Sequence, residues 1–336
     1  EISLGLVGSE MCIRDSANAG TGLAGEKDLE LLLNSLSSMT GVEIKNILPF
    51  STGVIGERLK IKSLTSAFEE CSKSLKKNNF NNLATSIMTT DKKVKISKKV
   101  VKIGNKKFSI LGVAKGVGMI EPNMATTLSF VFTDLKIAES SLKKIHKSIC
   151  NETFNSISID GDQSPSDSSI LVATGKNLIN SSKLLQTFKK SLEVVFTELS
   201  EKLLLDGEGA TKLIEIEVSG LKSKTACKEV AKKIANSPLL KTAAYGEDPN
   251  WGRILSAAGN TKHKFLAKNV SIKIGQIKVL NKGEIHKKYR EALGKKEFKK
   301  QRISLAVNLG PSKHCAKVKS SDLTHEYVSI NSDYRS

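Results

Sequence analysis

The chain has 336 residues, of which 39% are hydrophobic, 26% charged and 5% aromatic, and its formal net charge is +19. This composition indicates a folded globular protein with enough apolar residues for a core, and it excludes a chain that is disordered for lack of them. No apolar run approaches the ~20 residues that a membrane-spanning helix needs, so we expect no membrane association.

The first 16 residues differ in character from the rest of the chain. They begin with Glu1, have no basic leader before their short apolar patch, and do not look like a signal peptide. From Ala17 the sequence changes to small residues typical of a tight turn before a helix. We expect residues 1–16 to be foreign or misassembled sequence joined to a truncated gene, and genuine N-terminal strands to be missing.

Hydrophobic periodicity predicts alternating helices and strands along the remaining chain. Helices are predicted at residues 29–36, ended by Gly41, and at 64–75, 141–150, 183–205 and 224–235. Strands are predicted at residues 42–50, 108–113, 128–132, 157–159, 213–218, 270–279 and 303–307. No internal repeat or low-complexity linker separates domains. The mixture predicts an α/β or α+β fold with layered packing.

The net charge of +19 suggests nucleic-acid binding, but the residue types argue against it. Six of the 53 basic residues are arginine, so 47 are lysine. Arginine has the planar fork that recognises phosphates and bases, whereas lysine is a generic solvated charge. The lysines are scattered, and few aromatic residues are present to stack on bases. We expect no nucleic-acid partner, and keep a basic nucleic-acid-binding protein as a remote alternative.

The cysteines and histidines form no recognisable metal or redox motif. They are far apart in the sequence, with no paired C-x-x-C and no H-E-x-x-H: Cys12, Cys71, Cys150, Cys227, Cys315, His146, His263, His286, His314 and His325. We expect no metal site and no cofactor. Five scattered cysteines fit a reducing cytoplasm, where we expect the protein to act.

The most unusual segment is the glycine-rich stretch 112–127, which leads directly into the predicted strand 128–132. It lacks the G-x-x-x-x-G-K-[ST] order of a phosphate-binding loop and the helix that should follow. On this segment alone, Gly116, Gly118 and Pro122 could equally shape an ordinary surface loop.

Several segments in the same order along the chain together resemble the ornithine acetyltransferase family, also called ArgJ or glutamate N-acetyltransferase. The segments are 17–22 (ANAGTG), 51–56 (STGVIG), 87–91 (IMTTD), 114–126 (AKGVGMIEPNMAT), 158–162 (SIDGD), 207–212 (GEGATK), 246–253 (GEDPNWGR) and 322–334 (DLTHEYVSINSDY). Each motif is moderately specific by itself, and their combination is specific. Val117 and Thr127 depart from the family pattern without removing a catalytic group.

The resemblance implies a layered αββα sandwich and a chain that cuts itself between Ala125 and Thr126. Residues 17–125 would form an alpha segment, and residues 126–336 a beta segment that begins with the nucleophile. The two pieces would stay associated as a heterotetramer of two alpha and two beta chains. An N-terminal threonine has a free α-amine, with a pKa of about 7.7–8.0, that can accept the proton of its own hydroxyl.

The resemblance also implies the reaction. The acetyl group of N-acetyl-L-ornithine would pass to Thr126, releasing ornithine, and then to L-glutamate, giving N-acetylglutamate by a ping-pong scheme. The sequence leaves open whether acetyl-coenzyme A is also a donor. A related N-terminal-nucleophile amidohydrolase or aminopeptidase, which passes the acyl group to water, is the alternative.

The family pattern assigns the site residues. The Thr52 hydroxyl and the Gly53 N–H would form the oxyanion hole. Contacts with the substrate are assigned to Thr89, Lys115, Thr126, Glu208, Asn331 and Ser336. Thr89 is chosen over Thr90 on spacing. Lys115 suits a carboxylate and Glu208 an ammonium group.

Three further features are interpreted as structural. Residues 248–252, which contain Trp251, are expected to form a packed corner near the site. Arg253 is expected to belong to a buried ion pair. Asp160 and Asp162 are expected to lie in a polar turn after the strand at 157–159 rather than to act as paired acid–base carboxylates.

Overall fold

The structure is a computed structural model that describes residues 3–8, 19–75, 79–104, 106–121, 127–166, 168–178 and 181–333. The strands are β1 (Ser3–Gly8), β2 (Lys95–Ile103), β3 (Lys106–Lys115), β4 (Leu128–Lys136), β5 (Ile157–Ser158), β6 (Ser168–Leu178), β7 (Leu213–Gly220), β8 (Ser271–Ile274), β9 (Ile277–Asn281), β10 (Glu284–Ile285), β11 (Arg302–Asn308) and β12 (Ser312–Ser321). The helices are α1 (Gly22–Thr40), α2 (Ile61–Lys73), α3 (Phe80–Ser86), α4 (Glu139–Glu152), α5 (Ser182–Leu205), α6 (Lys224–Ala235), α7 (Pro238–Tyr245), α8 (Trp251–Gly259), α9 (Glu291–Phe298) and α10 (His325–Ser332).

One sheet has the strand order β1-β6-β4-β3-β2. Its β4 and β6 run parallel, and its other neighbours are antiparallel. On one face, α5 packs against β2 and β3. A Cβ at Gly112 would come within 2.7 Å of Leu199, so this glycine lets α5 approach the sheet closely.

The opposite face of this sheet is covered by the segment that precedes β2. Phe130 and Phe132 on β4 contact Phe50 and Phe80, with ring centroids 5.2 and 5.7 Å apart. Arg58 forms two hydrogen bonds of 2.7 and 2.6 Å with the buried carboxylate of Asp28 on α1, which ties the segment to that helix. These contacts hold residues 50–58 beside the end of β3.

A second sheet has the order β10-β9-β8-β11-β7-β12-β5. Residues of α6, α7 and α8 form a continuous apolar core with its strands. The β7–β11 and β5–β12 pairs are parallel, and the remaining pairs are antiparallel. The two sheets and their helices confirm the predicted mixed α/β class. In the part of the chain that the structure describes, no helix has the length and apolar character to cross a bilayer.

Most predicted elements are confirmed, with two corrections. The strand predicted at residues 42–50 is wrong. The segment contains the 3₁₀ turn Ile44–Asn46, and Val42 and Ile44 are exposed rather than packed in a sheet. The run predicted at 270–279 is the β8–β9 hairpin, since Gly275 has φ +56° and turns the chain.

Candidate active site

Six predicted site residues line one cavity of about 360 Å³. They are Thr52, Gly53, Thr89, Lys115, Glu208 and Asn331, and they come from distant parts of the chain. The remaining predicted site residues, Ala125, Thr126 and Ser336, lie outside the described residues. The cavity is thus the place where the sequence-derived candidates meet.

On one side of the cavity, Lys115 and Thr52 form a hydrogen-bonded pair. Lys115 ends β3 and is 5% exposed, and its Nζ donates to Thr52 Oγ1 at 2.5 Å. Because the ammonium group donates this bond, the hydroxyl proton of Thr52 can itself be donated to another acceptor. This geometry suits a group that stabilises a developing oxyanion.

On another side of the cavity, Glu208 presents a buried carboxylate. It lies in the turn after α5, and its backbone N–H donates to the Val117 carbonyl at 3.0 Å. Its Oε2 accepts a hydrogen bond from Asn331 Nδ2 at 2.9 Å, and its Oε1 accepts one from Thr90 Oγ1 at 3.5 Å. Both donors are neutral, so neither offsets the charge that the carboxylate can present to a cation.

The two adjacent threonines, Thr89 and Thr90, differ in the contacts that they make beside the cavity. Both Thr89 and Thr90 line the cavity. The backbone N–H of Thr89 donates to Asp91 Oδ2 at 3.2 Å, whereas it is the hydroxyl of Thr90 that reaches Glu208. The choice of Thr89 as the substrate contact stays a prediction, and Thr90 enters as a second candidate.

The glycine-rich loop runs from Lys115 to the Val117 carbonyl that bonds to Glu208, and it also lines the cavity. Gly116, Gly118 and Met119 line the cavity, with positive φ angles at Gly116 (138°) and Met119 (54°). Asp160 accepts hydrogen bonds from the backbone N–H groups of Met119 (2.6 Å) and Ile120 (2.8 Å). Burial raises the pKa of Asp160, and these N–H donors act in the opposite direction. Asp160 therefore shapes the loop, in agreement with the interpretation as a polar turn.

The comparisons with known proteins agree with the motifs that meet here. A model of the ArgJ family matches residues 11–336. This chain belongs to the ArgJ family. A relative from Bradyrhizobium diazoefficiens, named arginine biosynthesis bifunctional protein ArgJ, is 40% identical over 329 residues, which is 96% of this chain and 80% of the relative.

Further relatives give the same result. The protein of the same name from Pseudomonas fluorescens is 36% identical over 326 residues, covering 95% of this chain and 80% of the relative. The crystal structure of the arginine biosynthesis bifunctional protein ArgJ from Bacillus halodurans has a TM-score of 0.57 and 35% identity, and the match covers 60% of this chain and 96% of that chain. The predictions of the family, and of an enzyme within it, are confirmed.

Two features interpreted as structural, both in the family motif at residues 246–253, can now be placed. Residues 248–252 form a corner in which the partly buried Trp251 packs on the core of the second sheet, but they do not line the cavity. The prediction that Arg253 belongs to a buried ion pair is wrong. Its guanidinium donates to two neutral groups, the Leu239 carbonyl at 2.7 Å and the Thr242 hydroxyl at 3.4 Å. Arg253 thus joins α8 to α7.

Lys95 and Asp206, which no sequence motif singled out, are connected through Asp91 to residues that line the cavity. Lys95 is buried between the carboxylates of Asp91 and Asp206. Asp91 is the last residue of the family motif at 87–91, so the sequence did indicate it. Lys95 is one lysine in a lysine-rich strand, and no motif distinguishes it from its neighbours.

A larger cavity of about 520 Å³ lies elsewhere, between residues 220–222, 262–269 and 309–311, and contains none of the predicted site residues. The described residues include no cluster of three or more histidine, cysteine, aspartate or glutamate side chains that could hold a metal ion.

Proposed function

We propose that this ArgJ-family chain is an autoprocessing N-acetyltransferase of arginine biosynthesis that transfers acetyl from N-acetyl-L-ornithine to L-glutamate. The supporting observation is the pair of opposite charges on one cavity, with Lys115 on one side and Glu208 on the other. N-Acetylornithine has an α-carboxylate and a δ-ammonium group, which suit Lys115 and Glu208 respectively. The names of the relatives, arginine biosynthesis bifunctional protein, agree with this pathway.

The chemistry that we propose starts at Thr126. Its hydroxyl attacks the Ala125 carbonyl in an N-to-O acyl shift, which breaks the peptide C–N bond and frees the α-amine of Thr126. Water then hydrolyses the ester and releases the Ala125 carboxylate and the Thr126 hydroxyl. This amine accepts the hydroxyl proton when Thr126 attacks the acetyl group of the substrate. Support comes from the β3–β4 ladder, in which Leu128 pairs with Lys115, so the chain enters β4 beside the cavity.

The same oxyanion hole serves cleavage and transfer in this proposal. The Thr52 hydroxyl and the Gly53 N–H would donate to the tetrahedral oxyanion formed at each step. Ornithine leaves after the first half-reaction, glutamate attacks the acetyl-threonine, and N-acetylglutamate is released. The cut chain would assemble as two alpha and two beta pieces. No cofactor takes part, and acetyl-coenzyme A would be a co-substrate if it serves as a second donor.

We place the enzyme in the cytoplasm. Cys71, Cys150, Cys227 and Cys315 are free thiols, which is the state that a reducing compartment maintains.

The test compares the unchanged chain with two matched variants, Thr126→Ala and Thr127→Val. Intact mass should show fragments 1–125 and 126–336 for the unchanged chain, and an uncut chain for Thr126→Ala. Thr127→Val should still be cut, because the buried Thr127 hydroxyl has no hydrogen-bond partner among the described residues and valine has the same shape. Cleavage in Thr126→Ala would exclude this nucleophile.

Acetyl transfer is then measured with labelled N-acetylornithine. Label in N-acetylglutamate supports the transferase, whereas label released only as acetate supports the amidohydrolase alternative. Repeating the assay with acetyl-coenzyme A as the donor decides whether the enzyme has the second activity.

A further inference from the structure

Lys95 is a buried lysine at the start of β2, with 1% of its surface exposed. Its Nζ lies 2.5 Å from Asp91 Oδ1 and 2.6 Å from Asp206 Oδ2, and it also donates to the Lys93 carbonyl at 3.2 Å. The side chains of both aspartates are buried, with 0% and 4% exposed. These three residues form a buried triad with a net charge of −1.

Each carboxylate of the buried triad also holds backbone that leads into the cavity. Asp91 accepts hydrogen bonds from the N–H of Thr89 at 3.2 Å and of Gly116 at 2.8 Å. It therefore connects Thr89, which lines the cavity, to Gly116, the residue that follows Lys115. The N–H donors and the Lys95 ammonium outweigh the effect of burial and lower the pKa of Asp91, which keeps it ionised.

Asp206 connects the buried triad to the opposite side of the cavity. It is the C-cap residue of α5, two residues before Glu208, and it accepts hydrogen bonds from the N–H of Lys92 (3.1 Å) and of Lys93 (3.2 Å). The ammonium of Lys95 is thus a charged bridge between the segment that carries Glu208 and the segments that carry Thr90 and Lys115, in addition to the neutral hydrogen bonds that join them.

We propose that Lys95 is a positioning residue that sets the separation between the cationic and anionic sides of the cavity. The inference rests on the proposed function, because it assumes that Lys115 and Glu208 hold the two ends of one substrate. Two buried carboxylates without a cation between them repel each other and must move apart or take up a proton. Separation of the carboxylates displaces the backbone N–H groups that they hold, and protonation of one carboxylate weakens its hydrogen bonds to them, so either change loosens the placement of the cavity walls.

A role in stability alone is the competing explanation, since removal of one partner from a buried ion pair is destabilising wherever it occurs. The two explanations differ in what happens to molecules that remain folded. A positioning role predicts weaker binding of substrate by folded molecules, whereas a purely structural role predicts fewer folded molecules with unchanged affinity.

The experiment uses Lys95→Met and, because this variant leaves two facing carboxylates, also Lys95→Met/Asp206→Asn. The double variant keeps the net charge of −1 and supplies a folded protein if the single variant does not. Lys241→Met is the matched control, because Lys241 is another buried lysine, 4% exposed, whose Nζ contacts Ser320 and Ser321, and none of these three residues lines the cavity.

Binding of ornithine and glutamate is measured by calorimetry, because neither carries an acetyl group and both bind without reaction. Kinetics give KM and kcat for the transfer. We expect the Kd of ornithine and of glutamate, and the KM of N-acetylornithine and of glutamate, to rise about tenfold in the Lys95 variants with kcat changed less than about threefold. No such rise is expected in Lys241→Met.

Values of Kd within twofold of the unchanged chain, in a folded Lys95 variant, would overturn the positioning role. The two proposals fail separately. If the unchanged chain binds both ligands but transfers no acetyl, the proposed function is wrong and the binding data still decide the role of Lys95. If the unchanged chain binds neither ligand, both proposals are wrong.

Discussion

Gly118 leaves room for the Glu208 carboxylate, which makes it a sensitive position in the cavity. A Cβ at Gly118 would lie 2.6 Å from Oε2 and 2.9 Å from Oε1 of Glu208. The carboxylate is the end of a flexible side chain, so it can move away at little cost to the fold. Moving it breaks the 2.9 Å hydrogen bond from Asn331 and displaces the negative charge.

We therefore expect Gly118→Ala to raise the KM for N-acetylornithine about tenfold while the free energy of unfolding falls by less than about 1 kcal/mol. Steady-state kinetics and urea unfolding measure the two effects. Gly259→Ala, at the end of α8, is the control, because nothing lies within 4 Å of its added Cβ. A Gly118→Ala enzyme with unchanged KM would show that Glu208 is not a substrate contact.

The site residues differ in how well the sequence predicted them. Thr52, Lys115, Glu208 and Asn331 follow from motifs that resemble a family, and the structure brings all four to one cavity. The Lys95–Asp206 pair could not be predicted in this way, because it joins residues 111 positions apart through a strand start and a helix end. Contacts of that kind depend on packing, which no local pattern in the sequence specifies.

Helix α10 carries Asn331 to the cavity, and Thr324 fixes where this helix begins. The Thr324 hydroxyl accepts a hydrogen bond from the N–H of Tyr327 at 3.4 Å and donates one to the Gly209 carbonyl at 2.8 Å. The residue thus joins the first turn of α10 to the turn that contains Glu208. Loss of this cap should loosen the Asn331–Glu208 contact as well as the helix.

For Thr324→Ala we expect a loss of about 1–2 kcal/mol in the free energy of unfolding and a several-fold higher KM. Thr324→Ser keeps the hydroxyl and should behave like the unchanged chain. Ser223→Ala removes the N-cap of α6, where the Ser223 hydroxyl accepts from the Ala226 N–H, and should lose stability without a change in KM. Equal KM values in Thr324→Ala and Ser223→Ala would contradict a link between the cap and the cavity.

Among the elements, long amphipathic helices were predicted best, because their periodicity depends on burial of one face. The α5 helix was predicted almost to its ends, and its buried residues recur at helical spacing. The strands β2 and β12 were missed, since lysine and serine take many positions in KISKKVVKI and SKHCAKVKSS, including the buried positions of Lys95 and Ser97. Their strand structure comes from pairing with β3 and β7, which lie elsewhere in the sequence.

At the scale of the whole molecule, some of the 53 lysine and arginine residues form ion pairs on the surface rather than lying around the cavity. Lys317 contacts Glu217 at 3.0 Å, and Arg302 contacts both Glu201 and Glu215. The remaining positive field can attract anionic glutamate over some distance, and salt screens this attraction. The kcat/KM for glutamate should therefore fall modestly as ionic strength rises, with kcat unchanged.

Lys241 makes the free energy of unfolding depend on pH in the alkaline range. Burial lowers the pKa of this lysine to about 8, although Asp322 and Asp160 act in the opposite direction. In the unfolded chain a lysine titrates near 10.4, so between about pH 8 and 10.4 the unfolded state binds more protons than the folded state. Stability therefore rises with pH across this window, by on the order of 3 kcal/mol.

The prediction concerns the difference in the free energy of unfolding between the chain with Lys241 and the Lys241→Met variant. Both also carry Thr126→Ala, so that the chain stays uncut and a single chain unfolds. Urea unfolding from pH 7 to 10.5 should show the chain with Lys241 gaining stability relative to Lys241→Met above pH 8, because methionine has no proton to lose. The pKa of Lys228 is also lowered to about 8, chiefly by burial, but this residue is present in both proteins and its contribution cancels. Parallel pH profiles for the two proteins would mean that Lys241 titrates alike in the folded and unfolded chains.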